Sequence, residues 1–146
     1  RSLDTYWIPR QDVSTVATAT WEGIREINER SRPGHGYVRR FHQGYLHARE
    51  GRGLRPLRTY FHAGRADLAV IASADSIRIF ESAGYREVRT EGYLSSEPRE
   101  GYVPLRLFWN PRQAHHISST RWTFEEALAA GYEFQRVEGY VRALVD

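Results

Sequence analysis

Short apolar stretches alternate with charged turns that contain Gly or Pro, and the alternation runs through three cycles. Each cycle opens on an aromatic-rich stretch, and the three openings are residues 3–7, 56–61 and 104–109. A second stretch follows, enriched in β-branched residues, at 14–19, 68–73 and 115–119. Short stretches of this kind, bounded by turn residues, are typical of β-strands. The pattern therefore predicts two consecutive strands at the start of every cycle.

The spacing of apolar residues then changes to that of a helix. In the third cycle Thr123 and Glu126 are spaced as a capping box, and an apolar stripe follows at Phe124, Ala127 and Leu128. The corresponding stripes are Trp21, Ile24 and Ile27 in the first cycle, and Ile77, Ile79 and Phe80 in the second. One short amphipathic helix is therefore predicted in every cycle.

A frame of Gly-Tyr, six variable residues and a second Gly-Tyr ends every cycle. The leading glycines are Gly36, Gly84 and Gly131, at intervals of 48 and 47 residues, and the trailing ones are Gly44, Gly92 and Gly139. A period in this range indicates a repeat architecture. The leading glycine falls where a left-handed residue ends the helix. The trailing glycine belongs to a third strand, where it predicts a bulge or the close approach of another backbone.

These elements predict an α+β, mainly β domain made of three strand-strand-helix-strand repeats. The domain spans residues 1–146, and the repeats span about 3–48, 56–96 and 104–143. Neither end of the chain has the polar character of a capping repeat, so closure around a pseudo-threefold axis is favoured over an open stack.

Composition excludes several classes of function. No run of about 18 apolar residues is present, so no membrane span is expected. The net charge is +3 and no block of five like charges occurs, so nucleic acid is not an expected partner. Cys is absent, which excludes disulfides and thiolate metal sites. All 21 basic residues are Arg; GC-rich codon usage explains this best, ahead of selection for guanidinium groups.

The third cycle carries a family resemblance. It reads PLRLFWNPRQ (104–113), then His115, the hydroxyl pair Ser118 and Ser119, Glu126 near the helix start, and GYEFQRVEGYV (131–141). It resembles a family of short repeats in secreted bacterial and fungal proteins, with a pattern close to PLYRFYNPxxGDHFYTTSxxE and GYxxEGxxGYV. The resemblance implies an extracellular protein with lectin-like carbohydrate binding.

In the other two cycles the motif His and the hydroxyl pair are replaced by other residue types at most positions. In the second cycle we align Leu68 with the motif His, and Ile71 and Ala72 with the hydroxyl pair. In the first cycle those positions align with Ser14, Ala17 and Thr18. The implied binding function is therefore expected in the third cycle alone.

Carbohydrate recognition requires an exposed aromatic face and a few fixed polar groups. The third cycle offers such a set at its turn: Trp109, Asn110, Arg112, Gln113, His115, Ser118, Ser119 and Trp122. The first cycle has a similar set in Trp7, Arg10, Gln11 and Asp12. The alternative is that the tryptophans belong to the core and that the turns are simply solvated.

Metal binding and catalysis are not favoured. His115 and His116 are adjacent on a predicted strand and point to opposite faces, so no metal or other cofactor is expected. Acid-base pairs of His115 or His42 with Glu91 or Glu138 are conceivable. However, Glu91 and Glu138 occupy matching positions, with Gln43 as the third member, and recurrence of that kind indicates a structural bond across the axis.

The sequence therefore predicts a secreted, non-catalytic domain of bacterial type that binds carbohydrate through the third cycle. Two alternatives stay open: an adaptor in an extracellular assembly such as a toxin or enzyme complex, and a small secreted hydrolase. An exposed tryptophan above a pocket would favour a glycan as the partner. A broad Arg and aromatic patch without a pocket would favour another secreted protein.

Overall fold

The computed structural model of the chain describes residues 1–8, 11–30 and 38–143, and this part contains nine strands and three helices. We divide it into three units. The first has β1 (Ser2–Ile8), β2 (Gln11–Thr18), α1 (Trp21–Arg30) and β3 (Val38–Tyr45). The second has β4 (Leu54–His62), β5 (Asp67–Ile71), α2 (Ala74–Ser82) and β6 (Arg86–Ser95). The third has β7 (Tyr102–Asn110), β8 (His115–Ser119), α3 (Phe124–Ala129) and β9 (Glu133–Arg142).

The strands form one nearly closed, barrel-like sheet, so the predicted mainly β class is confirmed. Within each unit the first strand lies in the middle and pairs antiparallel with the second and third strands. Its pairing with the third strand shifts register twice, after Leu3 and Thr5 in the first unit and at the matching places in β4 and β7. No helix in the described part of the chain is long and apolar enough to cross a membrane.

Neighbouring units are joined where their third strands end. Each junction consists of a single backbone pair: His47 with Tyr93, Ser95 with Tyr140, and Tyr45 with Arg142. The trailing glycines make these junctions possible. A Cβ on Gly92 would lie 3.0 Å from the carbonyl oxygen of His47, and one on Gly139 would lie 2.9 Å from that of Ser95. The predicted close approach of another backbone is confirmed.

One apolar core lies behind the three junctions. It takes the opening leucine and one residue near the end of the third strand from every unit: Leu3, Leu57, Leu105, Leu46, Leu94 and Val141. All six are at most 3% exposed. The leading glycines Gly84 and Gly131 follow α2 and α3 with φ of 91° and 87°, as predicted, whereas Gly36 lies outside the described residues.

In each unit one buried polar side chain forms a hydrogen bond at the start of another unit's helix. Glu138 accepts hydrogen bonds from the backbone N–H of Ala72 (2.8 Å) and Ser73 (3.0 Å), just before α2. In the same way Glu91 accepts from the N–H of Ala19 (2.6 Å), and Gln43 accepts from that of Thr120 (2.8 Å). The predicted structural role of this recurring position is confirmed.

The pairing registers correct one part of the sequence alignment. Asn110 pairs with His115 in the third unit, and His62 pairs with Asp67 in the second. Asp67, not Leu68, therefore matches His115, and the hydroxyl pair matches Val70 and Ile71. The sequence pattern began the second strand of this cycle at residue 68, whereas the fully buried Asp67 already belongs to β5.

Candidate functional site

The turn between β7 and β8 holds the first group of predicted site residues. Asn110 is buried, and its Oδ1 accepts hydrogen bonds from the backbone N–H of Arg112 (3.0 Å) and Gln113 (3.1 Å). Its Nδ2 donates to Gln113 Oε1 (3.2 Å). Asn110 therefore shapes the turn, and the exposed side chains of Arg112 and Gln113 extend from it.

The predicted hydroxyl pair has structural partners. Ser118 is buried and its hydroxyl donates to the carbonyl of Val70 in the neighbouring β5 (3.0 Å). Ser119 is also buried, and its hydroxyl accepts from the N–H groups of Arg121 and Trp122, both at 3.0 Å. Both serines thus hold β8 and the following turn in place.

A buried polar cluster lies between the second and third units, around the carboxylate of Asp67. Its Oδ2 accepts from His116 Nδ1 (2.6 Å) and from the Tyr85 hydroxyl (2.6 Å). Its Oδ1 accepts from the His116 backbone N–H (3.1 Å) and lies 3.2 Å from His115 Nδ1. We call Asp67, Tyr85, His115 and His116 the Asp67 cluster; each of its members is at most 9% exposed.

The electrostatics of the Asp67 cluster follow from its bonds. Burial alone would raise the pKa of Asp67, but the hydrogen bonds from His115, His116 and Tyr85 outweigh it and hold that pKa well below its usual range. Burial, and then the bond to the Asp67 carboxylate, raise the pKa of the Tyr85 hydroxyl well above its ordinary value. Asp67 is therefore ionised and Tyr85 is protonated at neutral pH.

The two predicted tryptophans are only partly exposed. The Trp109 ring lies 4.4 Å from the His116 ring, and the Arg65 guanidinium lies 5.6 Å from its centroid. The Trp122 ring makes edge contacts with Phe108 (5.7 Å) and Tyr132 (5.1 Å). Both rings therefore pack against neighbours within the fold.

The described residues do not favour a metal site or a catalytic serine. No group of three or more His, Asp or Glu there could hold a metal ion. Although His115 and His116 are adjacent on a strand, both Nδ1 atoms approach the same Asp67 carboxylate. His42 Nδ1 lies near both the Ser2 hydroxyl (2.8 Å) and Asp4 (3.0 Å), so one ring nitrogen makes both contacts, whereas a Ser-His-Asp triad uses the two ring nitrogens separately.

The start of α1 holds a tryptophan that the sequence pattern assigned to the helix stripe. Trp21 is 80% exposed, so its predicted place on a buried face is wrong. The face of α1 that packs inward runs through Gly23, where an added Cβ would collide with the Thr18 hydroxyl. The hydroxyl of Thr20 accepts from the Gly23 N–H (3.1 Å) and fixes the helix start, which leaves Trp21 on the outside of the first turn.

Two adjoining cavities lie next to the exposed Trp21 ring, and we call them together the Trp21 cleft. One has a volume of about 310 Å³ and is lined by Trp21, Glu22, Ile24 and Arg25. The other has a volume of about 350 Å³ and is lined by Glu22, Arg25, Glu26 and Arg89. The two cavities share Glu22 and Arg25, and the Trp21 ring lines the first of them.

One side of the Trp21 cleft is formed by Arg89, whose charged side chain is held in place by two ion pairs. Its side chain is 13% exposed, and its guanidinium donates to Glu26 (2.8 Å) and to the buried Glu91 (2.7 Å). Burial alone would lower the pKa of Arg89, but the bond to Glu26 and the charge of Glu91 raise it. The orientation of these groups is therefore set before any ligand arrives.

Comparison of the chain with protein-family models, with curated proteins and with solved structures gave no match. The resemblance to the secreted repeat family therefore stays a prediction.

Proposed function

We propose that the chain is a non-catalytic carbohydrate-recognition domain and that the Trp21 cleft is its binding site. The observation that supports this most directly is the Trp21 ring, which is 80% exposed beside a cavity. A tryptophan buries a large apolar area when it is covered, so a ring left open at a capped helix start is suited to receive a ligand.

The other residues of the cleft suit a polyhydroxylated ligand. The apolar face of a sugar ring stacks on an aromatic side chain, while its hydroxyls need donors and acceptors in fixed positions. Glu22 and Glu26 offer acceptors and Arg25 offers planar donors, while the Arg89 guanidinium is engaged by Glu26 and Glu91. The Arg89–Glu26 pair is already oriented, which reduces the entropy lost on binding.

A glycan-array screen followed by calorimetry tests this function. We expect Trp21→Ala to weaken binding of a positive glycan by about tenfold or more, which corresponds to about 1.4 kcal/mol. Phe124→Ala is the matched control, because Phe124 is the first residue of α3 as Trp21 is of α1, and it should bind normally. An array without signal, or equal affinity of Trp21→Ala and the wild type, would refute the proposal.

We further propose that the three units are repeats related by a pseudo-threefold axis, in a secreted protein of the predicted repeat family. The junctions support the axis because each unit uses the same positions: a tyrosine after the trailing glycine pairs with the residue three places beyond that glycine in another unit. An experimental structure in which the units fail to superimpose would refute this arrangement.

A second candidate function, that of an adaptor, is favoured by an apolar patch on the third unit. Phe124, Leu128 and Phe134 are 56%, 71% and 41% exposed, and the Phe124 and Phe134 rings lie 4.9 Å apart. The exposed Glu125 and Glu133 lie next to the patch in sequence, so a partner with apolar residues flanked by basic ones would be complementary.

Affinity purification from culture medium tests the adaptor function. A protein retained by the wild type and lost with Leu128→Glu, while Trp21→Ala still retains it, would favour the adaptor. Retention that does not depend on Leu128 would count against it.

A further inference from the structure

We propose that the junction of the first and third units binds an oxyanion, namely a carboxylate, sulfate or phosphate group. The proposed site, which we call the Arg142 cavity, has a volume of about 380 Å³. Its described lining residues are Arg1, Tyr45, Leu46, His47, Arg142 and Ala143. Its described lining residues include none of those of the Trp21 cleft, so the proposal goes beyond the carbohydrate function and does not depend on it.

The cavity exists because β3 and β9 touch at one pair only, Tyr45 with Arg142. Beyond this pair Leu46 leaves the strand, and its N–H donates to the carbonyl of Arg1 (2.7 Å). The next residue, His47, pairs with Tyr93 of the second unit. The two strands therefore diverge at a point fixed by backbone hydrogen bonds, which gives the cavity rigid walls.

Among the described residues, positive charge accumulates around this cavity without an acidic counterpart. Arg1 and Arg142 line it, and none of its described lining residues is Asp or Glu. Among the ion pairs of the described chain, none involves Arg1, Arg99 or Arg142. The Arg1 guanidinium donates instead to the carbonyl of Glu91 (3.0 Å), which holds it at the junction.

The pKa of His47 responds to the same positive charge. Its pKa is lowered first by burial and then by the charges of Arg99 and Arg142. The ring is fixed by a 2.6 Å hydrogen bond between Nε2 and the Tyr102 hydroxyl, and Arg99 lies 5.7 Å from the Tyr102 ring. The Arg1 guanidinium, held by its bond to the Glu91 carbonyl, and the exposed Arg142 side chain provide the planar donors that proteins use for carboxylate and phosphate groups.

Calorimetric titration with sulfate, phosphate and acetate at constant ionic strength, balanced with chloride, tests the site. We expect saturable binding of at least one of the three, and the preference among them separates tetrahedral anions from carboxylates. Arg142→Gln should weaken that binding at least tenfold. Arg78→Gln removes an exposed Arg that pairs with Asp75, and it should bind as the wild type does.

A second readout keeps the test decisive if Arg142→Gln folds poorly. The His47 ring signal, assigned with His47→Gln, should shift on titration of the wild type with the same anion. Absence of both heat and shift for all three anions, or equal binding by the wild type and a folded Arg142→Gln, would overturn the proposal. Because Trp21→Ala leaves the Arg142 cavity intact, that variant should still bind the anion, which separates this site from the carbohydrate site.

Discussion

Replacing Glu138 by Ala tests the bonds that connect the units. The Glu138 carboxylate is fully buried and accepts from the N–H groups of Ala72 and Ser73 and from the Ser76 hydroxyl (2.6 Å). A hydrogen bond to a charged group contributes about 1.5–3 kcal/mol, and a buried donor left alone costs about 1–3 kcal/mol. Because such terms are not additive, we expect Glu138→Ala to lower the free energy of unfolding by about 4 kcal/mol in total.

The chain itself provides the conservative comparison. Gln43 occupies the matching position, and its Oε1 accepts from the Thr120 N–H in the way that Glu138 Oε1 accepts from Ala72. Glu138→Gln should therefore keep the bonds to the backbone and lose only the second acceptor, which faces Ser76. We expect it to lower the free energy of unfolding by about 1–2 kcal/mol.

Equilibrium unfolding in urea, followed by tryptophan fluorescence and circular dichroism, measures both values. Glu133→Gln, at an exposed position on the same strand, is the control and should stay within about 0.5 kcal/mol of the wild type. Equal losses for Glu138→Ala and Glu138→Gln, or a loss for Glu138→Ala no larger than the control's, would refute the role assigned to these bonds.

Three further sets of substitutions test other features of the fold in the same assay. Gly139→Ala places a Cβ against the Leu94 side chain and 2.9 Å from the Ser95 carbonyl, so it should destabilise by about 2 kcal/mol or more. Gly51→Ala is the control and should be nearly neutral, because its Cβ would make only an ordinary van der Waals contact with Leu54, at 3.4 Å. Because the pKa of Asp67 is lower in the folded protein than its unfolded value of about 4, the ionised carboxylate stabilises the fold above that pH, and this stability is lost as the pH falls below it. The free energy of unfolding of Asp67→Asn should therefore change less than that of the wild type between about pH 5 and about pH 3. Equal slopes for the two proteins would contradict this. Thr123→Ala removes one cap bond and should cost about 1 kcal/mol, and Ser73→Ala should cost more because Ser73 also donates to Glu138.

The local elements of this fold were readable from the sequence because they depend on neighbouring residues. The capping box is an example: the Thr123 hydroxyl accepts from the Glu126 N–H (3.0 Å) as its spacing predicts. The leading glycines likewise end their helices at the predicted places, where Gly84 and Gly131 have positive φ. Periodicity and turn chemistry act over a few residues, so one sequence is enough to reveal them.

The long-range features were not readable in the same way. The recurrence of Glu91, Glu138 and Gln43 indicated a structural bond, but not that Glu138 reaches the start of α2, 66 residues away in sequence. The second strand of the middle cycle was predicted from residue 68, because the sequence did not show that Asp67 is buried by bonds to Tyr85 and, in another unit, to His116. Trp21 was counted with the apolar stripe because spacing alone does not show which face of a short helix packs inward.

The positions that join the units also indicate how many carbohydrate sites one chain should carry. The residue that bonds to a helix start keeps a side-chain acceptor oxygen in all three units, as Gln43, Glu91 and Glu138 show. In contrast, the first helix residue is Trp21 in one unit but Ala or Phe in the others, so the fold does not require a tryptophan there. Because an exposed Trp is needed for the proposed stacking, we expect one glycan per chain in calorimetry, and strong attachment to a surface would then require several chains in one assembly.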